Sequence, residues 1–387
     1  MRRIYLDHTA TTPLDLRVLD AMVPFFGTVF GNASSIHSFG REAKSALEES
    51  RSSIATAIGA APSELFFVSG GTESDNLAIL GSWRAARKRG RESVIVGAAE
   101  HHAVLDTAGS LEDEGAVVRL AKTDNGGMTS SAAVSELVDS RTALVSVMHA
   151  NNEVGTINPI TEIASVAHTQ GALMHSDAVQ TLGKIPVNVD ALGVDLLTVS
   201  AHKLYGPKGI GALYIRRGTE VEQIIHGGGQ ERGRRPGTEN VALAVGFARA
   251  LEIAEENRER ERERLCSLRD ALQQALTSRF PYLLVNGSSA GRLPHILNIS
   301  VDSSVARVEG EMLVPTLDLE GIAVTSGSAC TSGSMQPSHV LLAMGYDEAT
   351  ARATVRFSLG RGNTKEDIVE TVERVSRVLE RTVRMIQ

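Results

Sequence analysis

The sequence predicts an α/β protein, with a large domain built on a mostly parallel sheet and a smaller α+β domain after it. Three observations carry this. Short apolar runs alternate with amphipathic helical patterns through the first half of the chain, the order a parallel sheet needs because each crossover is a helix. At 387 residues the chain is long for one core and suggests two domains. An alternating-sign run, Glu255-Glu256-Asn257-Arg258-Glu259-Arg260-Glu261-Arg262-Glu263-Arg264, lies between the two patterns.

In chain order, the strand-like runs are 65–68, 93–96, 143–148, 196–199 and 210–215, and the helical patterns are 41–58, 72–88 and 160–169. Beyond them the pattern reads helix 238–277, strand 295–301, helix 309–319, strands 323–325 and 354–359, and helix 365–386. Within 255–264 opposite charges fall three and four apart, as on a solvated helix bridging two domains. As a nucleic-acid patch the run fails, because the acids cancel the bases.

Composition narrows the function classes. A net charge of −7 offers no global attraction to nucleic acid or to an anionic membrane. No apolar run approaches the roughly 20 residues of a membrane span, and Met1-Arg2-Arg3-Ile4-Tyr5-Leu6-Asp7 lacks the apolar region of a signal peptide. Two cysteines make neither a disulfide framework nor a Cys-x-x-Cys metal site, so a cytoplasmic protein without a metal centre is expected.

Chemistry concentrates where strands end. The apolar run 194–199 leads into Ser200-Ala201-His202-Lys203-Leu204-Tyr205-Gly206-Pro207-Lys208-Gly209, so Lys203 projects from a strand-end loop, where α/β sheets bind ligands. Asp177 likewise follows the apolar run 172–174. A lysine and an acid in one crevice suit pyridoxal 5′-phosphate (PLP), whose aldehyde forms a Schiff base and whose ring nitrogen takes an acidic partner. By itself the pair is better read as a surface lysine and a capping aspartate. The third element decides: Val68-Ser69-Gly70-Gly71-Thr72-Glu73-Ser74-Asp75-Asn76 turns a strand through two glycines into a helix, whose N-terminus is an anion site. It is neither a P-loop nor a dinucleotide fingerprint. Phosphate cradle, lysine and acid together describe PLP.

Seven segments then carry a resemblance. They are Tyr5-Leu6-Asp7-His8-Thr9-Ala10-Thr11-Thr12-Pro13, Gly70 to Asn76, Ala99-Glu100-His101-His102-Ala103-Val104-Leu105, Met148-His149-Ala150-Asn151-Asn152-Glu153-Val154-Gly155, Gly227-Gly228-Gly229-Gln230-Glu231-Arg232-Gly233-Arg234-Arg235-Pro236-Gly237-Thr238, Ser326-Gly327-Ser328-Ala329-Cys330-Thr331-Ser332 and Arg356-Phe357-Ser358-Leu359-Gly360-Arg361. In this order they resemble the cysteine desulfurases of the iron-sulfur and nitrogenase-associated type, within the class V aminotransferase family. The resemblance implies the PLP-dependent transferase fold of type I. It also implies a seven-stranded sheet in a large domain, 16–258, and a small domain from both termini, 1–15 and 259–387.

It also implies roles. Lys203 would hold PLP and shuttle the substrate Cα proton, and Asp177 would keep the pyridine nitrogen protonated. At about 4 Å and an effective dielectric near 20 that attraction is about 4 kcal/mol before desolvation. His101 would stack on the ring and serve as acid or base. Gln180 and Asn152 would reach the ring oxygen or the substrate carboxylate, while Gly71, Thr72, Ser200 and His202 hold the phosphate. Thr238 matches a residue donated across a homodimer interface to the phosphate. Arg356 would take the α-carboxylate of L-cysteine in a bidentate pair, and Asn32 is a further substrate-binding candidate.

Cys330 sets the reaction class. Its neighbours, Ser326-Gly327-Ser328-Ala329 and Thr331-Ser332-Gly333-Ser334, are too small to pack a core, which suits a nucleophile that must attack substrate and then hand sulfur on. Cys266, inside a helical pattern, reads as structural. The implied products are L-alanine and a Cys330 persulfide that feeds an acceptor protein. An aminotransferase or a selenocysteine lyase would share Lys203 and Asp177, but an aminotransferase needs no loop thiol; a non-catalytic sulfur scaffold needs neither residue.

Departures bear on the acceptor. Gly31-Asn32-Ala33-Ser34-Ser35 stands where the family often has Gly-Asn-Pro, and Gly71 where alanine is common. After Arg361 the pattern holds little more than one amphipathic helix, whereas housekeeping iron-sulfur members carry a further tail that docks the cluster scaffold. The expectation is iron-sulfur cluster assembly, with DNA phosphorothioation or tRNA thiolation open as specialised destinations.

Overall fold

The structure is a computed structural model and describes residues 2–327 and 336–386. Its centre is a seven-stranded sheet in the order Leu65–Val68, Gly211–Ile215, Leu196–Ser200, Leu173–Asp177, Thr142–Ser146, Ser93–Gly97, Val117–Ala121. Gly211–Ile215 runs antiparallel to both neighbours and every other pairing is parallel. The continuous apolar runs follow from burial on both faces. Val94 and Val96 pack with Leu77, Trp83 and Val104 on one side, while Ile95 joins Ile54, Ile163 and Phe247 on the other.

A second core joins the chain's two ends. Ile4 and Leu6 pack with Leu297, Ile299, Phe357 and Val378. Its antiparallel sheet orders Thr354–Ser358, Ile296–Val301 and Leu283–Asn286, and Ile4–Tyr5 pairs in parallel with Ile322–Ala323. The helix Val241–Arg279, 39 residues and roughly 58 Å long, links the cores. Phe247 and Leu251 enter the first core, and Leu265, Leu268, Leu272 and Leu276 the second. In between, Arg258, Arg262 and Arg264 pair one turn back with Glu255, Glu259 and Glu261. Such exposed pairs contribute about 0.3–0.5 kcal/mol each, so this stretch keeps the helix soluble more than it stabilises it.

The sequence reading left out the strand Leu283–Asn286 and the helices Leu16–Met22 and His102–Ser110, and three further elements differ from it. Val117–Ala121 forms an edge strand half open to solvent and interrupted by Arg119, so it carries no apolar run. Leu173–Asp177 extends past its apolar start because His175 and Ser176 are buried polar residues with partners: His175 Nδ1 meets Ser146 Oγ at 2.8 Å, and Ser176 Oγ donates to Val147 O at 2.8 Å. The last helix stops at Thr382, and Arg384–Met385 pairs with Ala306–Arg307. Among the described residues no helix is long and apolar enough to cross a membrane.

Candidate active site

The carboxyl ends of the parallel strands deliver the site. Leu196–Ser200 passes into a 3₁₀ turn, Ala201–Lys203, and Tyr205 then takes a left-handed φ of 68°, a strained conformation for a bulky residue. The turn aims Lys203 across to the N-terminal segment, where Nζ donates to Thr9 O at 2.6 Å and Ala10 O at 2.8 Å. On the neighbouring strand Asp177 accepts from Val179 N at 2.8 Å. Burial pushes its carboxyl up to about 6, against the hydrogen bond from Val179 and the charge of Lys203.

Leu65–Val68 turns through Gly70 into the helix Gly71–Arg87, so the first helical N–H groups, at Gly71 and Thr72, face the crevice. Glu73 folds back to accept from Ser69 N at 2.7 Å and is held by Arg235 at 2.8 Å. His101 caps the helix His102–Ser110, its Nδ1 accepting from Ala103 N at 3.1 Å. That leaves the ring proton on Nε2. Burial and then the charge of Lys203 push His101 down to about 4, and the same two causes act on His202, also about 4. Both imidazoles are neutral at pH 7.

The second core supplies Arg356, which is 4% exposed. Its guanidinium donates to Asn152 O and to Asp7 Oδ1, each at 3.0 Å. Gln180 Nε2 donates to Thr9 O at 3.1 Å. Gly71, Thr72, His101, Asn152, Asp177, Gln180, Ser200, His202, Lys203 and Arg356 thus line one cavity of 390 Å³. Its volume falls within the range of small-molecule sites.

The residues fit PLP. Ser200 Oγ, Gln180 Oε1 and Arg356 Nε are buried on this cavity with no hydrogen-bond partner among the described residues. Such groups are costly unless something completes them. A hydroxyl beside a helix N-terminus suits a phosphate, and an unused guanidinium N–H suits a carboxylate.

Two expected residues stand elsewhere. Asn32 is exposed, its Oδ1 accepting from Ser34 N at 2.8 Å, and does not line the cavity. Thr238 is exposed on the loop before the long helix. That loop is anchored by Glu231, which accepts from both terminal nitrogens of Arg51 at 2.7 Å and from Phe67 N at 2.9 Å. Cys330 lies outside the described residues.

The cavity also contains residues that the sequence reading missed. Asp75 is fully buried behind Asp177, and burial plus the charge of Asp177 hold it well above the usual carboxylate range. Of the two, Asp75 keeps its proton and Asp177 carries the charge. A signal existed, since Asp75 follows Thr72 by three residues and so shares its helix face. Glu153, which accepts from Ser338 Oγ at 2.5 Å, and His339, whose ring meets His102 at 4.7 Å, had none.

Residues 4–370 match the family described as aminotransferase class-V. A cysteine desulfurase IscS of Dictyoglomus turgidum is 47% identical over 380 residues, which cover 98% of this chain and 95% of that protein. Among solved structures, a NifS-like protein superposes with a TM-score of 0.90 at 38% identity, covering 98% of this chain and 99% of the other. SspA in complex with cysteine superposes at 0.78 with 34% identity, covering 92% and 98%.

Proposed function

The chain belongs to the aminotransferase class-V family and is a cysteine desulfurase, and from that premise we propose how its residues divide the work. The reading rests most on one observation: Lys203 and Asp177 leave adjacent strand ends into the same cavity as the Gly71–Thr72 helix start. PLP, when bound, supplies an electron sink for the charge left at the substrate Cα. Gly71, Thr72, Ser200 and His202 would hold its phosphate, with Thr238 of a second copy completing the cradle in a homodimer. Asp177 would pair with the ring nitrogen and favour its protonated form, and neutral His101 would cover the ring.

Arg356 binds the α-carboxylate of L-cysteine, with Asn152 beside it. Lys203 would hold PLP, and its amine is the base placed to take the Cα proton and to return a proton to the carbon framework. The Cys330 thiolate attacks the substrate sulfur: the S–S bond forms as the Cβ–S bond breaks, the electron pair stays with the carbon framework, which is protonated to L-alanine, and Cys330 is left as a persulfide. The persulfide then passes its outer sulfur to an acceptor protein, with iron-sulfur cluster assembly as the destination. The two apolar cores support a division into 16–258 for cofactor binding, and 1–15 with 259–387 for Arg356 and the Cys330 segment.

The test is mass spectrometry of the cofactor-loaded protein after brief exposure to L-cysteine, with alanine quantified in the same sample. Added sulfur on Cys330 together with alanine is expected. PLP bound without either product would move the reading to another lyase or an aminotransferase.

A further inference from the structure

A second cavity, of 50 Å³, lies behind Lys203 where the two cores meet. Roughly 10–15 Å³ of such space holds one water molecule, so it has room for a few particles of that size. His295 lines it and is 1% exposed, yet neither ring nitrogen has a hydrogen-bond partner among the described residues. A neutral imidazole carries one N–H that needs an acceptor. Lys184, also on the lining, donates to Gln180 O at 3.1 Å, and no carboxylate pairs with it among the described residues.

The walls are positive. Lys184, Lys203, Arg258, Arg262 and Arg361 face the cavity together with His8. Among the described residues Glu261 is the single acid on the lining, and both its oxygens are taken by Arg264, at 3.2 and 2.8 Å. Arg361 is matched by Asp15 at 3.0 Å and Arg262 by Glu259 at 2.9 Å, which leaves the ammonium of Lys184 uncompensated. Packing beside it is tight: a Cβ on Gly360 would come within 2.3 Å of His8 and 2.4 Å of the Tyr205 hydroxyl.

We propose that this cavity binds one small monovalent anion of halide size, held by the Lys184 ammonium and the His295 N–H. Water could accept from His295 but would leave the Lys184 charge uncompensated, and a buried unpaired charge is the costlier defect. Burial and the charge of Lys203 push Lys184 down to about 7; a bound anion would hold it protonated.

Crystals of the cofactor-loaded protein, grown without halide and soaked in sodium bromide, test this at the bromine absorption edge. An anomalous peak within hydrogen-bond distance of Lys184 and His295 is expected. Water at that position with no bromide peak would overturn the proposal, whatever the enzyme does with cysteine. The peak is expected to weaken in crystals held well above pH 7, where Lys184 gives up its proton. Lys184→Met should lose the peak. Should that variant not fold, His295→Asn serves in its place, and an unchanged peak there would equally refute the site.

Discussion

Replacing Arg356 by lysine keeps a cation at the substrate end of the cavity and removes the planar fork. The guanidinium now spends two N–H groups on Asn152 O and Asp7 Oδ1, each at 3.0 Å, and its Nε–H has no partner among the described residues. An ammonium has no second planar edge to offer a carboxylate while keeping both protein contacts. Losing one charged hydrogen bond of about 2 kcal/mol predicts a fall in kcat/KM for cysteine of roughly 30-fold, expressed mainly as a higher KM. Arg356→Ala goes further, because Asp7 loses its partner as well; about 4 kcal/mol predicts a loss near a thousandfold. The strand survives either change, since the backbone N of residue 356 still donates to Thr325 O. The assay is steady-state alanine formation over a range of cysteine concentrations, with the visible cofactor band and the thermal transition recorded beside it. A lysine variant with wild-type KM would refute the assignment, and a lost cofactor band would place Arg356 in cofactor retention instead.

Other outcomes follow from the same structure. Cys330→Ser should keep the visible band yet release neither sulfide nor alanine in turnover, as read by colorimetric sulfide and alanine assays. Glu231→Gln should lower stability by about 3 kcal/mol in denaturant titration, because Arg51 stays buried with half its fork unmatched. Burial pushes His175 down to about 3, so the folded state takes up its proton later than the unfolded chain does; the stability this group contributes is present above pH 6.5 and lost as pH falls toward 3. Between pH 7 and 5 that loss is about 2 kcal/mol, and His175→Gln should flatten the pH dependence by this amount when the two are compared by denaturation.

How much of this was legible beforehand depended on how local the cause was. Strands 65–68 and 196–200 announced themselves as apolar runs because both sheet faces are covered, whereas Val117–Ala121 is covered on little more than one side and left no such mark. Lys203, Asp177 and the Gly71–Thr72 turn were readable because each sits at a strand end, where chain direction alone fixes which way the next residues face. Asp7 and Arg356, 349 positions apart, meet only because the first residues pair into the second core. Lys184 and His295 share a cavity that exists only where the two cores touch, and His295 gained its unpartnered ring there. Local chemistry and the order of elements were thus determined by the sequence itself. Which distant charges become partners, and which buried groups are left without one, was decided by tertiary packing, since close approach of remote segments and their removal from water arise only in the folded chain.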